Sequence, residues 1–269
     1  MSFHQPDSVR YYTFESFDDA GVSHGVLTRR GGVSQQPWAS LNVGGTVGDD
    51  PAAVVENRRR SFAALGRRFE SLYDVYQVHG SEVVCTAAPR PPEQPHLQAD
   101  AILTDRPGVT LFMRFADCVP VFLYDPVRSV AGIVHAGWQG TVLKTAARAV
   151  ETMQARYGSQ PADLLAGIGP SIGPHHYEVG PDVAARVRQA FGADASGLLA
   201  PVDLRGSNGH AAENKVQFDL WNANRLALEQ AGVRRVEIAG LCTVCELQDW
   251  YSHRGEQGRT GRFGALIGL

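Results

Sequence analysis

The chain has 269 residues, 43% of them hydrophobic, and a formal net charge of -3, which is enough for one large core and too near neutrality to favour nucleic acid or anionic membrane as a partner. Its apolar runs, such as "VAGIV" and "GALIGL", fall far short of the roughly 18 to 20 residues that span a bilayer. The opening "MSFHQPDSVRYYTF" has no basic segment followed by an apolar one, so a soluble, cytoplasmic protein is expected.

The first predicted element is a helix. Asp50 caps it, Pro51 occupies its first turn, and "AAVVENRRRSFAALG" keeps helical apolar spacing to Gly66. Strands are predicted over "LYDVYQV" (72–78) and "EVVCTA" (82–87), then an exposed extended loop over the proline-rich "APRPPEQPHLQ" (88–98). Four more strand runs follow: "ADAILT" (99–104), "VTLFMRF" (109–115), "VPVFLYD" (119–125) and "SVAGIVHA" (129–136). A second helix is predicted from Thr141 through Tyr157 to a stop at Gly158, and a strand over "LLAGIG" (164–169). Helices over Pro181 to Phe191 and Val216 to Ala231, with "RVEIAG" (235–240) as a last strand, complete the reading. "VPVFLYD" is apolar at nearly every position, as a strand covered on both faces would be, so stacked sheets with helices outside are expected within a single domain, 1–269.

Chemistry concentrates where apolar runs end. His79 in "YQVHGSEV", Cys118 in "FADCVPV" and His135 in "GIVHAGWQG" all sit at strand ends. Four cysteines are too few for a disulfide framework, and in a reducing compartment a special cysteine is a ligand or a nucleophile. Two nitrogens and one sulfur converging from rigid strand ends would leave a fourth position open, as in a catalytic zinc site. The bland alternative is a buried thiol and two satisfied histidines. Spacing cannot decide between them, since no compact metal motif is present. "HAGWQGT" independently suggests an anion-binding turn, with Gly137 and Gly140 opening a helix beside His135. Asp117 is read either as a proton shuttle or orienting group or as a turn cap, and Asp100 as a cap or a support for the cleft. Cys242 and Cys245 form Cys-x-x-Cys without a second pair and are read as packing. His175 and His176 are read as loop residues that diverge in an extended segment.

Nine stretches, "TRRGGVS" (28–34), "SLNVG" (40–44), "GDDPAAVVENR" (48–58), "QVHG" (77–80), "ADA" (99–101), "ADCVPV" (116–121), "HAGWQG" (135–140), "GPSIGPHHYEVG" (169–180) and "YSHRGEQGRTGR" (251–262), stand in the order found in the YfiH-like proteins. The chain resembles that family, once called laccase-domain or multicopper polyphenol oxidase and since assigned purine nucleoside phosphorylase activity, from about residue 20 to its C-terminus. The resemblance implies an α+β fold, a four-layer α/β/β/α sandwich with mixed sheets, and zinc held by His79, Cys118 and His135. It implies phosphorolysis of adenosine, inosine, guanosine or 5'-methylthioadenosine to base and ribose 1-phosphate, together with deamination of adenosine. Purine nucleosides and phosphate are then the partners, with no nucleic acid or membrane, and the chain is expected as a monomer or weak oligomer.

Holding phosphate calls for arginines and N–H groups. The substrate and phosphate candidates are Arg29, Asn42, Arg58, Gly137, Gly140 and Arg254, with His79, Cys118, His135 and Asp117 catalytic. The family commonly shows arginine where Gln139 and Gly255 stand here, so two positive charges are missing, and Arg259 or Arg262 is the expected compensation. Two rivals keep the same residues. A copper oxidase would use copper in place of zinc, but the chain has no His-x-His pair. A metal-free Cys-His hydrolase or amidase, acting for example on peptidoglycan precursors, would use Cys118 as nucleophile and His135 as base.

Overall fold

The computed structural model describes residues 2–202 and 214–269. Its strands in chain order are β1 (Ser2–His4), β2 (Tyr11–Thr13), β3 (Ser23–Leu27), β4 (Leu72–Tyr73), β5 (Val83–Cys85), β6 (Ala101–Thr104), β7 (Thr110–Phe115), β8 (Val119–Asp125), β9 (Val130–Ala136), β10 (Leu165–Ile168), β11 (Glu178–Val179), β12 (Leu199–Pro201), β13 (Val216–Phe218), β14 (Arg235–Ile238) and β15 (Phe263–Gly268). The α-helices are α1 (Glu15–Asp19), α2 (Pro51–Ala64), α3 (Trp138–Val142), α4 (Thr145–Tyr157), α5 (Pro181–Phe191) and α6 (Leu220–Gln230).

Two six-stranded mixed sheets, ordered β1-β2-β3-β15-β7-β4 and β14-β10-β8-β9-β6-β5, stack face to face, and a small third sheet runs β11-β13-β12. Alternation along each strand sorts the side chains into three apolar layers. Leu111, Met113 and Phe115 of β7 meet Phe122 and Ile133 of the second sheet in the middle layer. Phe112 and Leu266 point the other way, onto Phe62 of α2. Val121, Leu123 and Val134 face outward onto Val150 and Met153 of α4 and Leu228 of α6. Three cores between four layers make the chain an α+β, α/β/β/α sandwich. Every residue of β8 and β9 is buried, as expected for strands covered on both faces.

Helix α2 begins as predicted, with the Asp50 side chain accepting from Ala52 N–H and Pro51 in the first turn. The single helix expected from Thr141 to Tyr157 is two, divided at Lys144, whose backbone is left-handed (φ 55°). Apolar spacing runs through this break because both pieces pack on the same sheet, which hides it from the sequence. The helix expected from Val216 is shorter. Val216–Phe218 pairs as β13 between β11 and β12, and Asp219 caps α6 by accepting from Asn222 N–H at 3.0 Å. "LYDVYQV" forms a strand only at Leu72–Tyr73, with Tyr76 adding an isolated parallel bridge to Gln98, because Gln77 binds β7 with its side chain: its amide donates to Arg114 O (2.8 Å) and accepts from Arg114 N (3.0 Å).

Candidate metal centre and active site

Strands β8 and β9 are antiparallel neighbours with Pro120 opposite His135, so the residue just before β8 and the end of β9 lie at the same edge of the sheet. Cys118 and His135 therefore meet there, and the turn carrying His79 closes over them. The three ligating atoms all lie within 4.8 Å of one another. The structure thus brings together the three side chains singled out in the sequence.

Asp100, fully buried one residue before β6, organises two of the three. Its carboxylate accepts from the backbone N–H groups of Val78 (3.2 Å), His79 (3.1 Å) and Gly80 (2.6 Å), fixing a turn in which His79 has φ 60°. The same carboxylate lies 2.8 Å from His135 Nδ1, while Asp100 O accepts from His135 N at 2.7 Å. With Nδ1 donating to Asp100, Nε2 of His135 is left for a ligand. Asp100 thus supports the site rather than only capping a turn. Burial would raise its pKa, but the His135 imidazole and the turn N–H groups outweigh that and hold it below the usual carboxylate range.

Asp117 does for Cys118 what Asp100 does for the histidines. Its backbone is left-handed (φ 80°), and its carboxylate accepts from Thr243 Oγ1 (2.7 Å), Ser252 Oγ (2.7 Å) and Arg254 N (2.6 Å). Its carbonyl accepts from Ile172 N at 3.0 Å. Of the two roles considered for Asp117, these contacts describe holding the turn that presents Cys118. Gly137 is required on the opposite side, since a Cβ there would stand 2.8 Å from Cys118 Sγ and 3.3 Å from His79 Cδ2.

Burial alone would raise the Cys118 thiol, yet the imidazoles of His135 and His79 bring it down to about 6. Burial would likewise lower His135, but the Cys118 thiolate and Asp100 push it up to about 9. The pair therefore favours a thiolate beside an imidazolium; the thiolate is already the form that binds metal, and a metal on His135 Nε2 would displace the proton there. Two nitrogens and one sulfur at this separation, an oriented His135 and a glycine-cleared wall fit a zinc ion with an open fourth position.

The substrate and phosphate candidates divide by position. Arg254 lies at the rim, with its guanidinium donating to His176 O (3.3 Å) and Glu178 O (3.2 Å) and standing 5.4 Å over the Tyr177 ring. Arg262, half-buried, is within electrostatic reach of Cys118 and Asp117. Gly140 sits inside α3, where a Cβ would approach His135 O at 3.2 Å and Thr145 Oγ1 at 3.3 Å. Because α3 has only five residues, the helix following Gly137 is much shorter than the continuous one read from sequence. Arg29 is an internal strut: it donates to Ala39 O and Leu247 O, pairs with Glu256 at 3.0 Å and stacks on Tyr251. Asn42 is buried, accepting from Gly44 N and Arg262 N and donating to Asp49. Arg58 donates to Val43 O, and burial with nearby Arg114 brings its pKa down to about 10.

Thr243 and Ser252 were not read from the sequence as supports for Asp117, because they lie more than a hundred residues away in the chain. His175 and His176 were expected to diverge, but Pro174–His176 is a 3-10 turn that brings both to Cys242 and Cys245.

The sequence model of a family described as multi-copper polyphenol oxidoreductase laccase matches residues 23–269. A protein of Deinococcus radiodurans named purine nucleoside phosphorylase is 42% identical over 92% of this chain and 89% of its own length. Purine nucleoside phosphorylase YlmD of Bacillus subtilis is 36% identical over 92% of this chain and 88% of its own. The crystal structure of the Bacillus licheniformis hypothetical protein YfiH superposes with a TM-score of 0.88 at 34% identity, covering 99% of this chain and 98% of that one.

Proposed function

Since the chain belongs to the YfiH-like, laccase-domain family, we propose that it is a zinc-dependent purine nucleoside phosphorylase that also deaminates adenosine. The observation that carries the reading is the convergence of His79, Cys118 and His135 within 4.8 Å at one sheet edge. Adenosine, inosine, guanosine and 5'-methylthioadenosine are the proposed nucleosides, with phosphate as co-substrate. Residues 2–202 and 214–269 contain no helix long and apolar enough to cross a membrane, and we place the activity in the cytoplasm, in a monomer or weak oligomer.

Zinc bound by His79, Cys118 and His135 would supply a Lewis acid with an open coordination position. Asp100 and Asp117 keep the three ligands in place. Arg262 contributes positive charge within reach of the thiolate, and Arg254 contributes it at the rim, where phosphate and a developing negative charge on the leaving base need it. Of the two arginines expected to compensate for the charges missing at Gln139 and Gly255, Arg259 and Arg262, it is Arg262 that we propose does so.

The test is chromatography of adenosine incubated with metal-assayed protein, with and without phosphate. Adenine or hypoxanthine formed only with phosphate supports phosphorolysis, and inosine formed without phosphate supports deamination. Adenosine left intact in both reactions sinks the proposal.

A second reading is favoured by one observation: Asp100, His135 and Cys118 also stand as carboxylate, imidazole and thiolate in series, the order of a Cys-His hydrolase. His79→Gln separates the two. A metal enzyme loses essentially all activity on this change, whereas a Cys-His pair retains hydrolysis.

A further inference from the structure

Among the described residues a second set of ligating side chains comes together away from the first. His175, His176, Cys242 and Cys245 place one ligand atom each within 4.8 Å of all the others. His175 Nε2 lies 3.1 Å from Cys245 Sγ, and the two imidazoles pack with centroids 4.6 Å apart. Both cysteines are free thiols.

We propose that these four residues form a second, structural zinc site. Tetrahedral zinc, bound at about 2.0–2.1 Å by nitrogen and about 2.3 Å by sulfur, spaces its ligands about 3.3–3.8 Å apart, so a contraction of about 1 Å closes the cluster. Four protein ligands leave no open position, which is the arrangement of a structural ion. A redox dithiol would need neither imidazole, whereas a zinc ion uses all four groups.

The backbone is built around the cluster. Gly173 N donates to Cys242 Sγ at 3.2 Å, the kind of support given to metal-bound thiolates. A Cβ on Gly173 would stand 2.6 Å from His175 Cε1 and 3.2 Å from Cys242 Cβ, so only glycine lets the histidine turn fold over the cysteine. Ser171 pairs with Cys242 in a parallel bridge, and Glu246 N closes the Cys-x-x-Cys turn on Cys242 O at 3.2 Å.

The two segments that the ion joins also hold Asp117. Ile172 N donates to its carbonyl, and Thr243 Oγ1 to its carboxylate. A second ion would thus staple together the support behind Cys118 while sharing no ligand with the first site, so it stands or falls apart from the proposed activity.

The test is zinc content per chain after desalting under a non-thiol reductant, for the wild type, Cys118→Ala, Cys245→Ser and the double variant. Two, one, one and no equivalents are expected. If the wild type holds one equivalent, Cys118→Ala keeps it and Cys245→Ser loses it, the second site is upheld and the first fails. Cys245→Ser retaining the wild-type zinc content overturns the second site. Cobalt added to metal-free Cys118→Ala gives an independent reading. Thiolate-to-cobalt absorption that falls when Cys245→Ser is added supports the site, and absence of that absorption overturns it.

Discussion

One carboxylate at Asp100 fixes the backbone of the His79 turn and the ring of His135 together, so its loss acts on two ligands at once. Asp100→Asn keeps the size of the side chain but removes the charge that orients the imidazole. Zinc affinity at the His79, Cys118 and His135 site should fall about 10- to 100-fold, as read by competition with a chromophoric chelator. Unchanged affinity would make Asp100 a turn cap and nothing more. Cys118 and His135 were legible as strand-end residues, whereas His79 lies in a turn beyond Tyr73, where β4 ends; the family resemblance joined the three into one set. What holds them was not: Asp100 allowed two readings, and the partners of Asp117 come from a segment no spacing rule connects to it.

At the scale of elements, the edge strand β4 shows how charge replaces a ladder. Asp74, immediately after it, is fully buried and takes Arg90 at 2.7 Å, Arg114 at 3.3 Å and His96 at 3.1 Å. Burial would raise its pKa, but the pull of Arg114, His96 and Arg90 outweighs burial and depresses it. A carboxylate with a folded pKa below its unfolded value stabilises fully above about pH 4, and the contribution is lost as pH falls from there through the folded value. Asp74→Asn should cost about 3–5 kcal/mol at pH 7 by leaving buried arginine charge unpaired, and should flatten the loss of stability below about pH 4. Denaturant melts at pH 7 and pH 3 check both, and parallel pH profiles for variant and wild type would refute the assignment. The network also explains the proline-rich loop 88–98. Residues 91–98 are exposed as predicted, yet Arg90 and His96 pin the loop back onto Asp74. Strand β3 and the final strand β15 escaped prediction for a related reason. Glycines interrupt both, so their apolar periodicity is short, and pairing with each other, with β2 and with β7 makes them strands.

The molecule as a whole rests on its middle layer, where both sheets contribute together with Phe17 of α1. Phe122, wholly buried between them, lies against Phe14 at 5.5 Å and Phe17 at 6.3 Å between centroids. Phe122→Ala should destabilise the fold by about 3–5 kcal/mol, measured by denaturant unfolding, and a cost below about 1 kcal/mol would mean the sheets do not share this core. The layering was legible because β8 is apolar at nearly every step, whereas the sheet order is set by pairings between strands far apart in the chain, such as β15 with β3. One feature of that order has practical value. The turn joining β8 to β9, residues 126–129, is exposed at every position and lies about 23 Å, seven residues at about 3.3 Å each, from the edge where Cys118 and His135 meet. Asp125 closes it locally, accepting from Val127 N and Arg128 N, so the strands enter it already aligned. A peptide tag or fluorophore-bearing loop inserted between Val127 and Arg128 should leave zinc content and turnover at wild-type levels, giving the protein an attachment point as far from its chemistry as the hairpin allows.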